Sequence, residues 1–243
     1  MNISVHRWFS PNLNRDMNLI GYGYYGYALL LFLTPDSDYA GNENSQIIDS
    51  ISNFINNGTI KAYAIDSVGG ENWLRKNVSA DEKVSLQQSY NKYIESEVVS
   101  FVNKDCGGNV PIILCGASMG AYLAANAFFR RPDLFAGVIG MSGNYDLRQY
   151  TDGYFDDNCY FNSPVDFLSN LNDEKILREM HNKNIIIACG QGENEHSAAS
   201  QKLSAILHTQ KINHWLDIWG SDMNHDLLTW QKMLPHFLEN INV

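Results

Sequence analysis

The stretch Gly116-Ala117-Ser118-Met119-Gly120 constrains this chain more than any other. An apolar run, Val110 to Cys115, leads into it, and a helix-compatible run, Ala121 to Arg130, leads out. G-x-S-x-G between a strand and a helix is the pattern of a nucleophile elbow. The glycines flank the serine because so tight a turn leaves no room for neighbouring Cβ atoms. The serine hydroxyl is then carried on strained backbone out of the sheet edge.

Apolar and amphipathic runs alternate around the elbow. Ile3 to Phe9 and Met17 to Gly26 read as an antiparallel hairpin, and Tyr27 to Leu33 as a buried strand. Ser45 to Ile55 places Ile47, Ile48, Ile51, Phe54 and Ile55 on one helical face. Ile60 to Ile65 is a strand, followed by a polar loop from Asp66 to Asn77. Ser79 and Glu82 form a capping box that opens a helix with Leu86, Tyr90, Ile94, Val98 and Phe101 on its inner face. After the elbow come strands at Gly137 to Met141, Ile185 to Cys189 and His214 to Trp219, with helices at Ser197 to Leu207 and Leu227 to Leu238. This rhythm predicts an α/β fold: a mostly parallel central sheet with helices on both faces and an antiparallel N-terminal edge. Residues 1–243 read as a single domain, and 144–184, aromatic and polar, as an insertion over the active site. Gly21-Tyr22-Gly23-Tyr24-Tyr25-Gly26 lies between strands, so it reads as an aromatic strand edge and not a phosphate loop.

The formal charge of −10 argues against nucleic acid or an anionic membrane surface as partner. No apolar run is long enough to span a bilayer, and Met1 to Ser10 lacks the apolar core of a signal peptide. Cys106, Cys115, Cys159 and Cys189 form no C-x-x-C pair, and Cys115 and Cys189 end apolar strands, where cysteine is usually a small buried hydrophobe. A reducing cytoplasmic location, no metal and no cofactor are the expectation.

A serine hydroxyl needs a base, and the base an orienting acid, in the chain order serine, acid, histidine. His225, in the loop between the last strand and the last helix, is the expected base; His214 and His236 are less well placed. The acid should follow the strand ending at Cys189, where Glu193 and Glu195 compete; Asp146 is a weaker alternative. Asp222 and Asp226 flank the histidine too closely in sequence. The oxyanion hole needs two backbone donors. Met119 N–H is one. The other should come from the loop after Leu33, where Pro35 has no N–H, leaving Asp36 or Ser37, with Asp36 preferred.

These motifs, with Arg131-Pro132-Asp133-Leu134-Phe135 and Met141-Ser142-Gly143, make the chain resemble the esterase branch of the α/β-hydrolases. That branch includes S-formylglutathione hydrolases (esterase D), feruloyl and acetylxylan esterases, and mycolyltransferases. Cys189-Gly190-Gln191-Gly192-Glu193-Asn194-Glu195 is similar to the acid loop of the mycolyltransferases, which implies Glu195 as the acid. Tyr154 to Leu168 resembles a small bacterial subgroup of esterases. Where many relatives carry His-Gly after the third strand, this chain has Leu33-Thr34-Pro35. The resemblance implies a serine carboxylesterase with a Ser118-Glu195-His225 triad, acting on a small-molecule or sugar-linked ester. The alternatives are an acyltransferase on the same triad, or a non-catalytic scaffold that binds a partner. The aromatic insertion and Trp73 could line an acyl or sugar pocket, or simply pack beneath a long loop.

Overall fold

Alternate residues of a strand point to opposite faces, and here both faces are apolar, so both must be covered. The computed structural model describes residues 1–32, 42–66 and 68–243, with backbone only at 42–45 and 69–71. The strands are β1 (Ile3–Ser10), β2 (Arg15–Tyr22), β3 (Tyr27–Phe32), β4 (Ile60–Ile65), β5 (Ile112–Ala117), β6 (Gly137–Met141), β7 (Asn184–Cys189) and β8 (Trp215–Ile218). They form one sheet in the order β1-β2-β4-β3-β5-β6-β7-β8. The β1/β2 and β2/β4 pairs are antiparallel and the rest parallel. This is the expected α/β-hydrolase sheet with an antiparallel N-terminal edge.

Helices α1 (Asn42–Ser50), α2 (Ser52–Asn56), α3 (Val68–Leu74) and α4 (Ala80–Lys92) precede a π-helical turn, Tyr93–Val98, that continues into α5 (Val99–Asp105). Then follow α6 (Met119–Arg130), α7 (Asp157–Phe161), α8 (Pro164–Phe167), α9 (Glu174–Met180), α10 (Ser197–Thr209) and α11 (Leu227–Leu238). Leu30, Phe32, Leu114, Val138, Ile185 and Ile187 face α4, α6 and α10 on one side. Leu29, Leu31, Ile113, Cys115, Ile139 and Ile186 face α1, α2 and α11 on the other. Each of the Leu, Ile, Val and Phe side chains among these contributes about 1.5–3 kcal/mol by leaving water.

Three expectations change. The helix expected over 45–55 is interrupted at Ile51, yet Ile48, Ile51 and Ile55 still share the buried face. The strand expected to reach Gly26 ends at Tyr22, because Gly23 and Gly26 adopt φ of 98° and 111° in a turn that exposes Tyr24 and Tyr25. The polar loop at 66–77 contains α3. Its local sequence, with Gly69 and Gly70, is a poor helix former. Tertiary contacts compensate: Val68 and Trp73 are buried, and Trp73 Nε1 donates to Gln87 Oε1 (3.1 Å).

A buried polar chain extends from that bond. Gln87 donates to Asn91 Oδ1 (2.9 Å), Asn91 to Asn162 Oδ1 (2.7 Å), and Asn126 to Asn162 Oδ1 (3.0 Å). Tyr122 OH donates to the Asn162 carbonyl (2.8 Å). These bonds join α4 and α6 to the segment after β6 and pair most of the polar atoms that water cannot reach, with Asn126 Oδ1 left without a partner.

The N-terminal hairpin is held at one carboxylate. The π-helical turn presents Glu97, which accepts from Trp8 Nε1 (2.8 Å), Ser10 Oγ (2.8 Å) and Asn12 Nδ2 (2.7 Å). Partial burial would raise its pKa, but these bonds outweigh that and hold it below the usual glutamate range. Its stabilisation is therefore present above the unfolded-state pKa and lost as pH falls through the folded value. Glu97→Ala should cost about 2 kcal/mol at neutral pH by urea denaturation, and the difference from wild type should shrink below about pH 4.

Candidate active site

The site is built at the carboxyl ends of the parallel strands. The elbow follows β5. Ser118 has φ 53° and ψ −120°, a conformation a non-glycine residue holds only when its surroundings enforce it. Two things enforce it here. Ser118 N–H donates to the Met141 carbonyl (2.9 Å), and the elbow packs too closely for side chains. A Cβ on Gly116 would strike the Gly120 backbone, and one on Gly120 would strike the Phe32 carbonyl.

His225 Nε2 lies 2.9 Å from Ser118 Oγ, and its Nδ1 lies 3.3 Å from Glu195 Oε2. The Glu195 side chain is only 1% exposed. Burial alone would raise its pKa. Hydrogen bonds from His225, Ser142 Oγ (2.6 Å), Cys189 Sγ (3.2 Å) and Gly190 N–H (3.2 Å) overcome that and lower it to about 2. An ionised carboxylate only accepts. The proton on His225 therefore sits at Nδ1, leaving Nε2 free to accept from Ser118.

Of the two competing glutamates, Glu195 meets the histidine. The Glu193 side chain is exposed, and only its backbone bears on the site. Its carbonyl accepts from His225 N–H (3.0 Å), and its N–H donates to Asn224 Oδ1 (2.8 Å). The acid loop and histidine loop lie so close that a Cβ on Gly190 would meet the Met223 carbonyl.

The remaining candidates serve elsewhere. Asp146 pairs with Lys202 Nζ (2.8 Å), and Asp226 caps α11 through Thr229 N–H (2.9 Å). His214 bonds Ser204 Oγ (2.7 Å), and His236 packs against Trp215 and Trp219. Met119 is the first residue of α6, where helix geometry leaves N–H groups without an internal partner. Asp36 and Ser37 lie outside the described residues.

Ser142 and Trp230 have functional contacts that sequence reasoning missed, and Cys189 is more than the buried hydrophobe expected. Trp230 Nε1–H can only donate, and it points at Ser142 Oγ (3.0 Å). The Ser142 hydroxyl proton is thereby directed to Glu195. The Trp230 ring also packs edge-on against His225, with centroids 5.3 Å apart. The available signal was positional: Ser142 directly follows β6, as Ser118 directly follows β5.

A pocket of about 250 Å³ opens over Ser118 and His225, lined by Asn144, Gln149, Tyr150, Asn194 and His196. Trp73 does not line it. It is buried against Tyr122 and Tyr150, and so backs the pocket wall. A larger concavity of about 440 Å³ lies by Arg130 and Phe161 at the far end of α6, away from the serine. Among the described residues no cluster of three His, Cys, Asp or Glu side chains could hold a metal ion, and no helix is long and apolar enough to cross a membrane.

Ser142→Ala removes a bond to a charged group, about 1.5–3 kcal/mol. It should lower kcat/KM on esters by about tenfold to a hundredfold. Trp230→Phe, which frees the Ser142 hydroxyl to turn, should lower it by a smaller factor; steady-state kinetics of both variants checks the order.

The family called Putative esterase matches residues 39–232 of the chain. No curated protein sequence matches it. Among solved structures, a ferulic acid esterase aligns over 99% of both chains with a TM-score of 0.75 at 16% identity. An S-formylglutathione hydrolase from Agrobacterium tumefaciens aligns over 98% of this chain and 93% of its own, with a TM-score of 0.73 at 10% identity. Mycobacterium tuberculosis MPT51 (FbpC1) aligns over 99% of this chain and 98% of its own, with a TM-score of 0.71 at 15% identity. At such identities these likenesses are of fold, whereas the family match spans most of the sequence itself. The chain belongs to the esterase family of the α/β-hydrolases, serine hydrolases that act on carboxylic ester bonds.

Proposed function

We propose that the chain is a serine carboxylesterase that works through an acyl-enzyme on Ser118. The hydrogen-bonded line from Ser118 Oγ through the His225 ring to the Glu195 carboxylate carries this reading. Ser118 Oγ attacks the ester carbonyl carbon as His225 Nε2 takes its proton. Glu195 stabilises the imidazolium that forms. The negative charge passes to the carbonyl oxygen, which Met119 N–H receives at the start of α6. We assign the second donor to the N–H of Asp36, four residues beyond the end of β3 in the sequence. His225 returns the proton to the leaving alcohol, and the carbon–oxygen bond breaks. Water, deprotonated by His225, then cleaves the acyl-enzyme.

The chain acts as one domain. Residues 144–184 are an insertion whose first part, with Asn144, Gln149 and Tyr150, walls the pocket. The small polar pocket favours a compact acyl group. Its cysteines are all free, which agrees with a cytoplasmic location.

Hydrolysis of p-nitrophenyl esters from acetyl to dodecanoyl should peak at the short acyl chains. Ser118→Ala should abolish it together with labelling by a fluorophosphonate probe; wild-type rates in that variant would sink the proposal. Glu195→Gln should lower kcat by about 10³–10⁴-fold, because it loses the charge that orients and stabilises the histidine. Glu193→Gln should stay within about twofold, as expected for an exposed side chain away from such contacts. Glu195 holds its charge down to about pH 2, so the acid limb of kcat/KM at higher pH does not belong to it.

A further inference from the structure

Strand β1 is the outer strand of the sheet, and among the described residues nothing pairs with its far side. Its exposed face carries Ile3, Val5 and Phe9, which are 57%, 66% and 58% exposed. An open edge with apolar side chains is a template for pairing with another chain unless charge or proline blocks it. Here Arg7, which pairs with Asp16 (2.7 Å), is the single Lys, Arg, Asp or Glu of β1, and the strand has no proline.

The direction of each backbone group follows from the register. Asn2 accepts from Gly23 N–H (2.9 Å), and β1 pairs with β2 so that Ser4 faces Gly21, His6 faces Leu19 and Trp8 faces Met17. In an antiparallel ladder hydrogen-bonded pairs alternate, so the even residues of β1 direct their N–H and C=O to β2. Asn18 N–H agrees: it points away from β1, to Asp66 Oδ2 (3.0 Å). Ile3, Val5, Arg7 and Phe9 therefore direct their N–H and C=O at the open edge.

We infer that this edge pairs with the same edge of a second copy of the chain, antiparallel, about a two-fold axis through His6. In that register Ile3 faces Phe9 of the other copy and Val5 faces Arg7, so every outward-directed group of these residues falls in a hydrogen-bonded pair. The neighbouring registers are worse. A two-residue shift one way sets Arg7 against Arg7; the other way leaves Phe9 unpaired. The chosen register is self-complementary, as a two-fold interface requires, and stacks apolar Ile3 on Phe9 at both ends. The pairing joins two sheets into one. β1 lies four strand spacings, about 19 Å, from the elbow strand, so the site is left alone. A two-strand contact is small, and each copy carries a charge of −10. The dimer is accordingly weak, with a Kd of about 10–100 μM that tightens with salt.

Sedimentation velocity over a concentration series spanning that range tests this. Wild type should pass from monomer to dimer. Val5→Lys and Val5→Pro should each weaken the dimer at least tenfold while ester hydrolysis stays at the wild-type rate. The proline removes an edge-facing N–H and no bond to β2, and Val5→Lys covers the case in which it perturbs the strand. Register is tested by cysteine cross-linking against a wild-type control. The His6→Cys variant should form a disulfide-linked dimer on oxidation, since facing residues at a non-hydrogen-bonded pair lie about 4.5 Å apart. Ser4→Cys should not, because its counterpart lies about 14 Å away along the strand. A wild type that stays monomeric throughout overturns the inference. So does a dimer indifferent to the Val5 variants, equal cross-linking at both positions, or capture of extended peptides in place of a second copy.

Discussion

A carboxylate shut away from water is the condition the catalytic end of this molecule is built around. An ionised group at the Glu195 position is tolerable only if its lone pairs are occupied. The donors come from three places: the end of β6 gives Ser142, the end of β7 gives Cys189 and Gly190, and the loop after β8 gives His225. Cys189 and Gly190 are local to the Glu195 loop, but Ser142 and His225 come near it only because β6, β7 and β8 lie side by side and parallel. The sheet register and the ionised acid therefore support each other.

The same economy of space governs the loops. At both the elbow and the acid loop, backbone passes so close to backbone that glycine alone fits, at Gly116 and Gly120 and again at Gly190. Such contacts leave the serine and histidine few alternative positions. Trp230 adds a restraint from beneath, since one side chain both orients the Ser142 hydroxyl and packs on the His225 ring. Rigidity of this kind keeps the His225 ring within hydrogen-bond reach of the Ser118 hydroxyl.

Much of this was legible in the chain. The elbow, the order of strands and helices, the antiparallel edge and the loop bearing His225 follow from local patterns whose periods differ between strand and helix. The regions that escaped are those where distant contacts override local preference. Helix α3 forms over a glycine-bearing polar stretch because Trp73 finds Gln87. The π-helical turn at Tyr93–Val98 turns Glu97 toward a hairpin more than eighty residues earlier in the chain. Neither partner is a neighbour in sequence, so no window of residues contains the cause.

Sequence by itself determined which residue types could do the chemistry and on which strand ends they would sit. It could not decide between Glu193 and Glu195 from the loop alone, since two carboxylates two residues apart look alike in composition. The tertiary structure separates them: the loop after β7 folds back on the loop after β8, and of the two only the Glu195 side chain turns inward to Ser142, Gly190 and His225 while Glu193 faces water. The physical reason is that direction and burial of a side chain belong to packing between loops, which are set by contacts between segments far apart in the chain.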